Sequence, residues 1–69
     1  MYIVIEMQTN GGTTSTITNA YDDESLAFQK YHQILSFAAV STIDVHTAVI
    51  LNENGMTVRN ESFIHNSEE

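Results

Sequence analysis

Lys30, the single lysine of the chain, shares the stretch KYHQILSFAAVSTIDVH with His32 and His46, two of the three histidines. Imidazole titrates near neutrality and ligates metals, and a lysine amine can act as a base or nucleophile. A metal needs three or four donors in range, and no H-x-x-x-H pair stands on one helix face, so no metal site is expected. His65 falls in the polar C-terminal stretch HNSEE. His32 and His46 therefore read as one exposed helix histidine and one strand histidine. Ser41 lies between the helix end and the strand of His46, where a Ser–His contact could form. Nothing resembles a nucleophile elbow, and Ser41 reads instead as a partner for backbone groups at the helix-to-strand turn.

The adjacent carboxylates Asp22, Asp23 and Glu24 cannot share a helix face, so they suit capping rather than a general acid–base pair. Lys30 and Arg59 are the only cations. Glu6, Glu61 and Asp44 are the counter-charges within plausible reach of them, while the planar fork of Arg59 would also suit a phosphate or carboxylate. Gly11-Gly12 lacks the lysine and helix start of a phosphate loop and reads as a turn.

The elements that must position these groups follow from periodicity. Residues 2–9 alternate as a strand, with Ile3, Ile5 and Met7 on one face and Tyr2, Val4, Glu6 and Gln8 on the other. Asn10-Gly11-Gly12 turns the chain, and 13–20 returns as a Thr-rich, edge-like strand. YDDES opens a helix reaching about Ala39, whose buried stripe is Ala27, Tyr31, Ile34, Leu35 and Ala38; Ser25, Gln29, His32 and Ser36 face away. Residues 42–51 form a strand with Val45, Thr47, Val49 and Leu51 on one side and Asp44, His46, Ala48 and Ile50 on the other. Asn54-Gly55 signals a hairpin, and 56–63 returns as the fourth strand.

The expected fold is α+β, β-β-α-β-β: a four-stranded antiparallel sheet with one helix packed on one face, as a single domain over 1–65 with an acidic flexible tail at 66–69. One helix covers one face. The face bearing Ile3, Ile5, Met7, Val45, Val49 and Leu51 is the natural core, which leaves Tyr2, Val4, Glu6, Gln8, His46, Ala48, Ile50, Arg59, Glu61 and Phe63 as an oligomer or ligand surface.

Sixty-nine residues without cysteine or a zinc pattern make a marginal domain, which favours burial in a homo-oligomer. A hydrophobic fraction of 42% is that of a folded chain. The net charge of -7 disfavours nucleic acid backbones and anionic lipid. It leaves room for a basic protein partner. No apolar run is long enough for a membrane span, and MYIVIEMQT has no signal-peptide pattern. No cofactor is implied, and a cytoplasmic setting is compatible with the lack of cysteine.

The segments YIVIEMQTN, AYDDE, KYH, L-x-x-AAVS, VHTAV and VRNE resemble a family of small proteins of tailed phages and prophages of low-GC Gram-positive bacteria. The similarity spans about residues 1–65. Phe28 and Met56 depart from it, standing where a polar and an aromatic residue are expected. The resemblance implies an infected bacterial cytoplasm, brings no catalytic assignment, and marks Tyr31, His32, Ser41, His46, Arg59 and Asn60 for attention. The leading expectation is a non-enzymatic counter-defence protein that sequesters a host nucleotide signal in an oligomer pocket. Arg59 and Lys30 would meet phosphates, Tyr2 or Tyr31 would stack, and Gln8, His46 or Asn60 would hydrogen-bond. The alternatives are a virion or assembly accessory protein that binds other phage proteins, and an acidic DNA mimic that inhibits a host nuclease.

Overall fold

The β-branched run at the N-terminus forms β1 (Tyr2–Asn10), and the Thr-rich segment that follows forms β2 (Thr13–Tyr21). The helix α1 (Glu24–Ala38) leads to β3 (Val45–Asn52) and β4 (Thr57–Ile64). The computed structural model describes residues 1–65; the expected acidic tail at 66–69 lies outside the described residues. The strands form one antiparallel sheet in the order β2-β1-β3-β4, with the helix on one face. The β-β-α-β-β α+β fold expected from the sequence is the fold observed.

Turn chemistry sets the registers. Gly11 and Gly12 both have positive φ, at 63° and 84°, as a two-residue type I′ turn requires. The second hairpin is wider than the Asn54-Gly55 pair alone suggests. Asn52 N–H donates to the carbonyl of Met56, and the Asn52 side chain accepts from the N–H groups of Asn54 and Met56. Only Gly55 has positive φ in that loop, at 81°. A register shift opposite Ile50 and Leu51 then leaves Val58 as an extra residue in β4.

The helix starts where Asp23, in an extended conformation, accepts a hydrogen bond from Ser25 N–H at 2.8 Å. Its stripe is close to that expected: Ala27, Tyr31, Ile34 and Ala38 are buried, and Leu35 packs at the margin. Ser25, Gln29, His32 and Ser36 are exposed.

The helix covers the face opposite to the one apolarity favours. Its partners are Val4, Ala48 and Ile50, and His46 is buried beside them at 3% exposure. The face with Ile3, Ile5, Met7, Val45, Val49 and Leu51 has no layer packed on it, and these side chains are half-buried only.

Chain connection explains this correction. β2 and β3 flank β1 and both run antiparallel to it. They are therefore parallel to each other, and α1 is the crossover between them. Such crossovers are right-handed with very few exceptions. In a two-residue hairpin the closing pair, here Asn10 and Thr13, exchanges both hydrogen bonds. Alternation then points the backbone groups of Val4 at β2. For L-residues, that orientation and a right-handed crossover place the helix on the Val4 side. Handedness outranks the modest difference in apolarity between the faces.

Candidate functional site

Two strands, β1 and β3, and the helix end converge on a part-buried polar chain centred on buried His46. Gln8 in β1 lies directly opposite His46 in β3, with Glu6 one alternate position along β1. The His46 Nε2–H donates to Glu6 Oε2 at 2.6 Å, and Gln8 Nε2 donates to the same oxygen at 2.9 Å. The connection after α1 brings Ser41 Oγ within 3.2 Å of His46 Nδ1 and 3.3 Å of the Ala38 carbonyl. The Ser–His contact considered from the sequence therefore forms, and Glu6 extends it.

Proton accounting defines what this chain can do. When His46 carries one proton, on Nε2, the single Ser41 proton has two acceptors, Nδ1 and the Ala38 carbonyl. When His46 carries two, Nδ1–H donates to Ser41 Oγ and the Ser41 hydroxyl donates to Ala38, so every donor has a partner. Burial raises the Glu6 carboxyl pKa, but the hydrogen bonds from His46 and Gln8 and the charges of His46 and Lys30 outweigh it, and the net shift is downward.

The arrangement has the order of a Ser–His–acid triad without the setting for acyl transfer. Ser41 sits at a helix C-terminus, where carbonyl oxygens converge and the dipole end is negative. The nearby N–H groups of Val40 and Ser41 are already bonded to Phe37 and Ala38 carbonyls. A developing oxyanion would need free donors there. The same carbonyl of Ala38 also accepts from His65 Nε2 at 2.6 Å, and His65 N–H donates to the Asp44 carbonyl at 2.7 Å. His65, expected in a frayed tail, instead ties the end of β4 to the end of α1.

A second cluster lies on the helix flank. Arg59 is exposed, with its guanidinium carbon 5.8 Å from the centroid of the Phe28 ring. Tyr31 meets Phe28 edge-on at 6.4 Å and His32 at 5.4 Å. Burial, with Glu61 adding to it and Arg59 opposing, pushes the Tyr31 phenol pKa up. The ion pairs expected for Lys30 and Arg59 are not formed: among the described residues neither is in salt-bridge contact with Glu6, Glu61 or Asp44. Two of those carboxylates have other roles. Glu6 holds His46, and Asp44 accepts from Gly11 N–H at 3.2 Å.

The candidate residues thus divide. Gln8, Ser41 and His46 meet in the part-buried chain. Tyr31, His32 and Arg59 gather around Phe28, and half-buried Lys30 sits on the same helix. Tyr2 lines a separate open depression of about 350 Å³ with Met1, Asn52, Glu53 and Asn54. Asn60 lies opposite Val49 on the uncovered face. Among the described residues no group of three metal-ligating side chains converges. Sequence reasoning missed Glu6, Phe28 and His65. Strand alternation already put Glu6 on the face of Gln8 and His46, which was the available signal for the first.

Comparison of the chain with protein-family models, curated proteins and solved structures finds no match.

Proposed function

We propose that this chain is a non-enzymatic binding protein that works through its surfaces as a homo-oligomer. The observation behind this reading is a division of labour. The groups best suited to chemistry, Ser41, His46 and Glu6, are hydrogen-bonded to one another and to a helix end. The larger aliphatic side chains of the sheet stand on its uncovered face.

The resemblance to phage proteins suggests the setting, an infected bacterial cytoplasm, and the ligand class to test first, a host nucleotide signal. The Arg59–Phe28 patch with exposed His32 supports that choice. It offers a guanidinium fork for phosphate beside an aromatic surface for a base. Tyr31 and His46 are buried, Gln8 and Ser41 are bonded to Glu6 and His46, and Tyr2 and Asn60 lie apart from the patch, so the proposed contact set keeps Arg59, His32 and Lys30 and gains Phe28. A thermal-denaturation panel with cyclic dinucleotides, cyclic oligonucleotides and ADP-ribose derivatives tests it. At least one is expected to raise the melting temperature of the protein but not of Arg59→Ala. No shift with any of them would overturn nucleotide sequestration.

A second reading, an accessory protein that binds other phage proteins, is favoured by the uncovered apolar face. The DNA-mimic reading has less behind it, because Glu6 is held by His46 and the adjacent carboxylates Asp22, Asp23 and Glu24 are concentrated at the start of the helix rather than spread along one surface.

A further inference from the structure

We infer that the uncovered sheet face is the contact by which two copies of this chain join, sheet against sheet, with the helices outermost. The inference rests on the reading of the protein as a homo-oligomer and identifies the surface and its occupant.

Charge is the first argument. Ile3, Ile5, Met7, Val45, Val49 and Leu51 run along the two central strands on this face. Their neighbours across the ladders are Thr14, Thr16, Thr18 and Ala20 on one side and Thr57, Asn60, Ser62 and Ile64 on the other. None of the strand residues on this face is charged. The ionisable strand residues Glu6, His46, Arg59 and Glu61 all belong to the helix-covered side by the same registers. Two chains of net charge -7 repel at most approaches. This face is where they can meet without desolvating a carboxylate. A basic partner would find no counter-charge here, so charge complementarity selects a neutral surface, and the same face of another copy is one.

The second argument is what the helix side leaves unburied. Among the described residues the buried apolar ones are Val4, Ala27, Tyr31, Ile34, Ala38, Ala48 and Ile50, of which three are alanines. The bulk of the sheet's aliphatic volume is on the other face. A chain of this size has little core to set against its conformational entropy.

Dimensions are the third. Four strands of about eight residues present a footprint on the order of 500 Å² at ordinary strand spacings. Two such faces bury about 1,000 Å², the threshold for a specific interface. The flanking Thr, Ser and Asn residues form the polar rim that such interfaces have around an apolar centre. A two-fold, self-complementary pairing of twisted sheets in aligned packing satisfies the geometry.

Methyl-resolved NMR of the full chain with a soluble paramagnetic probe tests the inference. The methyl groups of Ile5, Val49 and Leu51 are expected to become protected as protein concentration rises, while that of exposed Ile17 on the helix-side face stays accessible. Val49→Glu should weaken self-association at least tenfold with the circular dichroism spectrum retained. Should that variant not fold, the probe experiment on the native chain decides alone. Equal accessibility of Ile5 and Val49 at all concentrations would overturn the inference, as would protection confined to the helix side or to a sheet edge, or protection arising only with a different added protein. Nucleotide binding is read separately, so its failure would leave this contact standing.

Discussion

At the scale of single residues, Glu6 is the hinge of the part-buried polar chain, and its titration is the accessible observable. Its folded pKa is lowered from the ordinary 4.5. The stability it contributes is therefore fully present above that ordinary value and is lost as pH falls through the lower folded value. Glu6→Gln keeps an acceptor for His46 Nε2–H but removes the ionisation. The melting temperature of the variant should depend less steeply on pH below about 4.5 than that of the native chain; an unchanged acid limb would show that Glu6 does not carry it. Ser41→Ala removes the Ser41 hydroxyl from His46 and from the Ala38 carbonyl, and should cost about 1 kcal/mol in denaturant unfolding. Reactivity of Ser41 towards a fluorophosphonate would contradict its structural role. Part of this was legible beforehand: Ser41 and His46 were paired as candidates from their places at the turn and in the strand. Glu6 was not joined to them, because the contact is diagonal across two strands that are 40 residues apart in sequence.

At the scale of elements, local signals were strong wherever one residue type has one backbone use. The Gly11-Gly12 turn, the capping aspartates and the apolar stripe of α1 all identify their elements without tertiary information. Asp23 is the cap, and Asp23→Ala should destabilise the protein by about 1 kcal/mol, a fall of roughly 4–8 °C in melting temperature for a domain of this size. No loss would mean that Asp22 takes over the cap. The face covered by the helix was less legible. Hydropathy ranked the two faces by side-chain type, whereas the strand order, once known, decides through crossover handedness. Strand order depends on β1 pairing with β3, and no local pattern reports that pairing.

At the scale of the whole molecule, reversing the faces changes the functional argument. The surface first marked for oligomerisation is the helix-covered side, where His46 is buried and Gln8 and Glu6 are half-buried. The surface first marked as core, with Ile5, Val49 and Leu51, is open and uncharged. Fold class was readable because it needs only the order and type of elements. The site was readable only in fragments, because Arg59 and Phe28, like Ser41 and Glu6, meet through tertiary packing. The central claim is that this chain acts as an assembly joined through its open face. Sedimentation equilibrium of the native chain at neutral pH and moderate salt tests it most directly. The account predicts a mass of twice 7.7 kDa that falls towards the single-chain value on dilution and in Val49→Glu; a mass of 7.7 kDa at every concentration would contradict it.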